Sequence, residues 1–167
     1  MSEDPLRAQT LAKVVRDASV LSATLDSVRG KRRTVLVKGV YDLFHSGHYY
    51  SFVNARSLGD LLIVAVNDDD SVSKRKGEGR PILALEERVI LIAALSCVDY
   101  VTVYYGASPF EVISTIRPNI FAASHFDSLT EAQRAELEQY ASLHVVPKLG
   151  GSSTTAIIAK IRSTQHA

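Results

Sequence analysis

The stretch that decides the fold runs from Thr34 to His48 and reads Thr-Val-Leu-Val-Lys-Gly-Val-Tyr-Asp-Leu-Phe-His-Ser-Gly-His. Residues 34–37 form a β-branched run with no polar alternation, which predicts a strand buried on both faces. A helix is predicted over residues 49–58, and Gly59 stands where that helix would end. The turn between strand and helix therefore lies beyond the carboxyl end of a strand, where ligands bind in open α/β sheets.

Strand-like and helix-like segments alternate along the rest of the chain. Further strands are predicted over residues 61–66, 100–103, 120–122 and 143–146, and further helices over 85–95, 109–116, 130–140 and 153–161. This order predicts right-handed parallel crossovers. We therefore expect an α/β fold, a Rossmann-like doubly wound parallel sheet of about five strands with helices on both faces. Residues 1–30 are predicted to be a peripheral N-terminal helical extension, and residues 31–167 to form the single domain.

The composition limits the classes of function. Nineteen Lys plus Arg against 18 Asp plus Glu give a formal net charge of +1, so the chain lacks the positive field of a non-specific nucleic-acid binder. The single cysteine, Cys97, excludes an internal disulfide, and with no signal peptide in sight it predicts a cytoplasmic protein. The apolar stretches are too short to span a bilayer as a helix. Neither nucleic acid nor a membrane is expected as a partner.

Two histidines three residues apart, His45 and His48, would project from one side of the helix start. Unpaired backbone N–H groups and the positive end of the helix dipole point the same way. Gly47 has no side chain to obstruct a phosphate, and Gly39 would let a ligand lie against the strand end. We interpret the turn as a phosphate cradle with two imidazoles. The alternatives are a structural histidine pair, a fragment of a zinc site and two polar surface residues, although no Cys cluster or HExxH helix accompanies the pair.

At these residues the chain resembles the nucleotidylyltransferase superfamily, whose mark is an HxGH element at the end of the first Rossmann-like strand. The resemblance continues over nearly the whole span from Thr34 to Ile161, where further stretches look like the adenylyltransferase domain that makes ADP-heptose. These stretches are Asn-Ala-Arg-Ser-Leu-Gly-Asp at 54–60, Leu-Leu-Ile-Val-Ala-Val-Asn at 61–67, Lys-Gly-Glu-Gly-Arg-Pro at 76–81, Glu-Glu-Arg at 86–88 and Gly-Ser-Ser-Thr-Thr at 151–155.

The resemblance implies a reaction between a nucleoside triphosphate and a phosphorylated small molecule. A phosphate oxygen of the acceptor attacks the α-phosphorus in line, and pyrophosphate leaves. No protein nucleophile is required, so the site has to position the reactants and neutralise the developing charge. Mg²⁺ is expected as the cofactor, held mainly by the triphosphate and water. The resemblance also implies a homodimer or higher homo-oligomer.

The resemblance further implies roles for individual residues. Contact with the reacting phosphates and transition-state stabilisation are expected of His45, His48 and Arg88. Nucleotide binding is expected of Gly39, Val40, Tyr41, Asp42, Ser46, Gly47, Lys148, Ser153, Thr154 and Thr155. Binding of the substrate phosphate is expected of Lys74, Lys76 and Arg80. The alternatives are a solvated basic loop at 74–80, helix capping at 153–155 and a surface salt bridge for Arg88.

The run Asp68-Asp69-Asp70 looks like a metal trap. Three consecutive carboxylates at a strand end more often form a turn and cap the next helix. We prefer that interpretation, and no residue of the chain is predicted as a metal ligand.

Two positions depart from the heptose pattern. After the strand near Ile120 that family usually has Lys-Gly-Gly-Asp-Tyr, whereas this chain has Ala-Ser-His-Phe-Asp at 123–127. Either His125 and Asp127 substitute for the missing groups, or the acceptor differs. Lys38 stands where relatives usually carry a small polar residue.

The similarity favours AMP transfer from ATP to a sugar phosphate such as heptose 1-phosphate. One alternative is a cytidylyltransferase that uses CTP with glycerol 3-phosphate, a phospho-alcohol or a phosphonate. A second alternative is a non-catalytic nucleotide-binding module that has kept the fold.

Overall fold

The computed structural model describes residues 4–147 and 153–164, and in them strands and helices alternate as predicted. The strands are β1 (Thr34–Gly39), β2 (Leu61–Asn67), β3 (Tyr100–Tyr104), β4 (Ile120–Ala123) and β5 (Ser142–Val145). The helices are α1 (Pro5–Ala12), α2 (Ala18–Arg29), α3 (Ser46–Arg56), α4 (Asp69–Lys76), α5 (Leu85–Ala93), α6 (Phe110–Ile116), α7 (Glu131–Glu138) and α8 (Thr154–Thr164). None of the helices in these two ranges is long and apolar enough to cross a membrane.

The five strands form one sheet in the order β3-β2-β1-β4-β5, and every neighbouring pair is parallel. The chain first builds outward from β1 to β3, and then returns to the other side of β1 for β4 and β5. This reversal places a switch point between β1 and β4, where the carboxyl ends of the strands leave a crevice for a ligand. The predicted Rossmann-like α/β fold is therefore confirmed.

Helices cover both faces of the sheet. On the first face Phe52 of α3 and Ile92 of α5 pack against Val35 and Val37 of β1. On the second face α2, α6 and α7 pack against Leu36 of β1. Successive side chains of a strand point to opposite faces, so a strand covered on both sides needs the continuous apolar run that the sequence shows.

The N-terminal segment is more than a peripheral appendage. The Asp17 carboxylate caps α2 by accepting the backbone N–H of Ser19 at 2.7 Å, and Leu21 and Leu25 of this helix are fully buried. Before α2, Val14 forms a parallel bridge with Val101 of β3. Full burial of a leucine side chain stabilises a fold by about 1.5–3 kcal/mol, so α2 belongs to the core of the second face.

Helix α4 is absent from the sequence prediction, which treats residues 74–80 as a loop. The Asp68 carboxylate caps it by accepting the backbone N–H of Ser71 at 3.0 Å. Acidic residues fill its first turn and basic residues its last turn, an arrangement that complements the helix dipole. Lys74, Arg75 and Lys76 are therefore helical, and the cap expected from the aspartate run is confirmed.

Candidate active site

A cavity of about 510 Å³ opens at the carboxyl ends of β1 and β4. The start of α3, the end of α4 and the start of α8 form its other walls. The predicted site residues that line it are Gly39, Val40, Tyr41, Asp42, Gly47, His45, His48, Lys76, Arg80, Ser153, Thr154 and Thr155. Ser46, Lys74 and Arg88 are not among the lining residues, and Lys148 lies outside the described residues.

His45 is the N-cap of α3, which begins at Ser46 and thus before the predicted start at residue 49. Its Nδ1 accepts the backbone N–H of Gly47 at 3.1 Å. A ring nitrogen that accepts a hydrogen bond carries no proton, so this bond puts the proton of the neutral ring on Nε2. His45, which lines the cavity, therefore has a defined tautomer in which Nε2–H is the donor.

His48 lies in the first turn of α3 and stacks on His45, with ring centroids 3.9 Å apart and planes inclined by 23°. Tyr41 meets the His48 ring edge-on at 5.4 Å, and Phe44 packs against it at 5.5 Å. Such aromatic contacts fix the orientation of a ring. The two imidazoles therefore form one stacked pair at the amino end of a helix, on the wall of the cavity.

Gly39 makes room for an aromatic side chain. A Cβ atom at this position would lie 2.7 Å from Cζ of Tyr41, because the Tyr41 ring rests directly on the glycine. Tyr41 itself adopts a left-handed backbone conformation, with φ at 56°, which non-glycine residues rarely adopt. The missing side chain at Gly39 thus admits the ring that supports His48, and Gly39 also lines the cavity.

Asp42 is buried and serves the loop that follows α4. Its carboxylate accepts the backbone N–H groups of Ile82 and Leu83 at 2.9 Å and the Nε–H of Arg80 at 2.8 Å. Burial alone would raise the pKa of Asp42, but the hydrogen bonds from Ile82, Leu83 and Arg80 outweigh it and the pKa is lowered. Asp42 is therefore an ionised support of the turn and not a proton acceptor for the reaction.

Arg88 of α5 is fully buried beneath the HxGH turn. Its guanidinium donates to the carbonyl oxygens of Leu83 at 3.1 Å, Val40 at 2.6 Å and Asn67 at 2.9 Å. It also forms an ion pair with the Asp69 carboxylate at 2.5 Å. The structure thus joins Arg88 to three segments of the chain and does not bring it to the cavity surface, so its geometry is that of a positioning residue.

The start of α8 is tied to the same turn. The Thr154 hydroxyl donates to the backbone carbonyl of Asp42 at 2.7 Å, and the Ser153 hydroxyl accepts the backbone N–H of Ala156 at 3.1 Å. The capping interpretation therefore holds for Ser153. Both residues and Thr155 also line the cavity, so the helix start forms its second wall.

Among the residues that the structure describes, four cationic side chains line the cavity, namely Lys38, Arg75, Lys76 and Arg80. Among the described lining residues the only carboxylate is that of Asp42, and Arg80 pairs with it. The wall therefore carries an excess of positive charge. Sequence reasoning assigned no contact to Lys38 or Arg75, although the position of Lys38 at the end of the first strand was the available signal.

The segment after β4 contributes little charge. Ala123 and Ser124 line the cavity, whereas His125 and Asp127 are exposed and do not line it. The hypothesis that these two residues substitute for the missing lysine and glycines therefore has no support in the structure.

The described residues include no group of three or more His, Cys, Asp or Glu side chains arranged to hold a metal ion. The chemistry of the wall is instead that of an anion site, with two imidazoles, a helix amino end and several cations directed at one space. Such an arrangement can hold a polyphosphate and stabilise charge that develops during phosphoryl or nucleotidyl transfer.

Two solved structures illustrate the similarity of fold. The lipopolysaccharide core biosynthesis protein of Thermoplasma volcanium superposes with a TM-score of 0.64 at 22% identity, over 71% of this chain and 99% of that chain. Pantoate-beta-alanine ligase of Francisella tularensis superposes with a TM-score of 0.61 at 13% identity, over 89% of this chain and 76% of that chain. At these identities the likeness concerns the fold alone.

Sequence similarity is more specific. The bifunctional protein HldE of Pelobacter propionicus is 36% identical over 148 residues, which cover 87% of this chain and 30% of that protein. HldE of Helicobacter pylori is 36% identical over 138 residues, which cover 83% of this chain and 29% of that protein. The chain thus spans less than a third of the length of these relatives. The family model described as cytidylyltransferase-like matches residues 36–161, so the chain belongs to the cytidylyltransferase-like family and is a nucleotidyltransferase.

Proposed function

We propose that the protein is an adenylyltransferase that transfers AMP from ATP to a sugar 1-phosphate, with heptose 1-phosphate as the first acceptor to test. The observation that carries this proposal is the stacked pair of His45 and His48 at the amino end of α3, on the wall of a cavity lined by cations. The similarity to the bifunctional protein HldE over most of this chain supports the choice of a sugar phosphate and ATP.

In the proposed reaction a phosphate oxygen of the acceptor attacks the α-phosphorus of ATP. A new P–O bond forms, the bond between the α-phosphorus and the bridging oxygen breaks, and pyrophosphate leaves with the electron pair. The attacking oxygen already carries negative charge, so no protein base has to remove a proton. This agrees with the state of Asp42, whose carboxylate is fully engaged by neighbouring donors.

The stacked histidines supply the donors that such a transition state needs. The Nδ1 atom of His45 accepts from Gly47, so the neutral ring presents its Nε2–H on the opposite edge. His48 adds a second imidazole 3.9 Å away, centroid to centroid. Preorganised donors of this kind cost no reorganisation during the reaction and stabilise the charge that grows on the α-phosphoryl group and the leaving pyrophosphate.

The surrounding framework holds these donors in place. Arg88 donates to the Val40 carbonyl below the turn, and Thr154 donates to the Asp42 carbonyl from the side. The turn itself contains two residues at positive φ, Tyr41 and Leu43, whose conformations persist only when the surroundings enforce them. We infer that these contacts keep the imidazoles aligned before the substrates bind.

Mg²⁺ fits this site as a companion of the triphosphate. Among the described lining residues Asp42 has the only carboxylate, and its oxygens are engaged by Ile82, Leu83 and Arg80. The ligands would therefore be phosphate oxygens and water, as is usual for this ion. Bound there, Mg²⁺ supplies neutralisation of triphosphate charge and polarisation of a phosphoryl oxygen.

The direct test is pyrophosphate release with each of the four nucleoside triphosphates and a panel of acceptors. The panel contains heptose 1-phosphate, glycerol 3-phosphate, phosphocholine and a phosphonate. We expect the highest kcat/KM for ATP with heptose 1-phosphate. A preference for CTP with one of the other acceptors would overturn the choice of base and acceptor. Tight ATP binding without release of pyrophosphate with any acceptor would indicate a non-catalytic module.

We also propose that the protein acts in the cytoplasm as a homodimer or higher homo-oligomer, as the resemblance implies. Light scattering coupled to size-exclusion chromatography measures the mass directly. A mass equal to the 18.2 kDa of one chain at micromolar concentration would contradict the oligomer.

A further inference from the structure

Lys38 lies at the end of β1 and lines the cavity, yet the mechanism above gives it no part. The side chain is half-buried, and none of the ion pairs among the described residues includes it. Burial lowers the pKa of Lys38, and the positive charge of Arg75 lowers it further. An ammonium without a carboxylate partner costs free energy when it leaves water, so its place on the wall calls for an anion that the protein does not supply.

Lys38 and the histidines face different parts of the cavity. Alternation along β1 directs Lys38 to the same side as Leu36, which packs in the core of the second face. His48 contacts Tyr41, which packs in the core of the first face. The crevice between β1 and β4 therefore has an imidazole end and a lysine end.

The lysine end has room and a second cation. Val37 pairs with Ala122 across β1 and β4, so Lys38 is level with Ala123, the next residue of β4. Ala123 and Ser124 line the same cavity with small side chains. Arg75 in the last turn of α4 lines the same cavity and is close enough for its charge to act on Lys38.

We propose that Lys38 and Arg75 form the subsite for the phosphate group of the acceptor, which makes Lys38 a specificity residue for phosphomonoester dianions. This inference rests on the proposed function, because in-line attack requires the acceptor phosphate to approach the α-phosphorus from the side opposite the pyrophosphate. With the triphosphate at the imidazole end, the lysine end offers a cationic place for that phosphate, whereas the lining residue Arg80 is already paired with Asp42. A dianion there would neutralise both like charges at once.

The first test is steady-state kinetics of Lys38→Met with the best substrate pair of the wild type, ATP and heptose 1-phosphate if the proposed function holds. The loss of one charge-assisted hydrogen bond to the acceptor raises its KM about tenfold or more, while the KM for ATP stays within about twofold of the wild type. Lys31→Met is the matched control, because Lys31 is exposed and outside the cavity, and both constants should be unchanged. A tenfold rise in the KM for ATP with no change for the acceptor would overturn the assignment.

The second test does not depend on turnover. Lysine side chains labelled with ¹³C are observed by NMR in protein saturated with a non-hydrolysable ATP analogue, and inorganic phosphate is then added. The Lys38 signal, identified by its loss in Lys38→Met, should shift with phosphate, and Lys38→Arg should retain phosphate binding that Lys38→Met lacks. A Lys38 signal that ignores phosphate in analogue-saturated protein would refute the subsite. Failure of the analogue to bind at all would instead refute the proposed function.

Discussion

Two sets of charged side chains surround the cavity, and their partners differ. Asp42 and Arg88, which we call the bracing pair, are buried; the carboxylate accepts from three donors and the guanidinium donates to four acceptors. Lys38, Arg75 and Lys76, which we call the cavity cations, form no ion pair with any carboxylate among the described residues. Charges that the protein satisfies shape the turn, and charges that it leaves without counter-ions are directed at a ligand.

The difference has an energetic side. Removal of a satisfied buried group leaves its partners without hydrogen bonds, which is costly. Removal of a charge that has no partner removes a free-energy cost from the folded state, although it also weakens binding of the ligand. The bracing pair and the cavity cations should therefore respond to substitution with opposite changes in stability, and the following predictions use that contrast.

The largest effect is expected for Arg88→Met. The substitution leaves the carbonyls of Val40, Leu83 and Asn67 without this donor, so the free energy of unfolding should fall by about 3–5 kcal/mol. Urea denaturation of this variant and of Arg75→Met provides the comparison, and the latter should change by less than about 0.5 kcal/mol. Wild-type stability of Arg88→Met together with lost turnover would mean that Arg88 acts on the phosphates directly.

His48→Ala tests the imidazole pair itself. Loss of one preorganised donor to the transition state should lower kcat by about a hundredfold or more. The control is His144→Ala, because His144 is exposed on β5 and outside the cavity, and its kcat should equal that of the wild type. Unchanged turnover of His48→Ala in the pyrophosphate-release assay would remove His48 from the mechanism.

Asp42→Asn tests the acidic member of the bracing pair through pH. The pKa of Asp42 is lower in the folded protein than its ordinary value, so the ionised carboxylate stabilises the fold above the unfolded-state pKa of about 4. At pH 7 the variant should lose about 1–3 kcal/mol of unfolding free energy. As pH falls through the folded-state pKa this difference should shrink, since the wild-type carboxyl becomes protonated.

Unfolding curves between pH 3 and pH 7 measure that difference. Asp127→Asn serves as the control, because Asp127 is exposed, and it should track the wild type. A deficit of Asp42→Asn that stays constant down to pH 3 would show that its charge is not what stabilises the turn.

The smallest effect, and the one of opposite sign, is expected for Lys38→Met. The pKa of Lys38 is lowered in the folded state, so the protonated amine opposes folding at neutral pH. The variant should gain up to about 1 kcal/mol of unfolding free energy. The gain should fade as pH rises toward the unfolded-state lysine pKa of about 10.4, where the amine of the wild type loses its charge. Thermal unfolding of Lys38→Met, with Lys31→Met as the control, measures this gain in stability. A loss of stability in Lys38→Met would contradict the proposed difference between the bracing pair and the cavity cations.

Much of the fold can be predicted from the sequence because strands of a parallel sheet that is covered on both faces require continuous apolar runs. Residues 34–37 of the first strand form a run without polar alternation, and the alternation of strands and helices sets the architecture. Helix α4 escapes prediction because Val72 is its only buried residue, so it has no apolar period. Its signals were instead an aspartate cap and the change from acidic to basic residues along it.

Some features of the candidate site can likewise be predicted from local sequence, and others cannot. The cradle formed by His45 and His48 is local, since a short motif at the start of one helix builds it. The state of Arg88 is not local, because its acceptors Val40 and Asn67 come from distant parts of the chain. The placement of Lys38 and Arg75 on one cavity likewise brings together residues from separate elements, which no local pattern in the sequence reveals.

A crystal structure with a non-hydrolysable ATP analogue would test the role of the imidazole pair in binding the triphosphate. Phosphate oxygens should lie within hydrogen-bond distance, about 2.7–3.2 Å, of Nε2 of His45 and of the His48 ring. A triphosphate bound elsewhere on the protein, with no oxygen near either imidazole, would contradict that role.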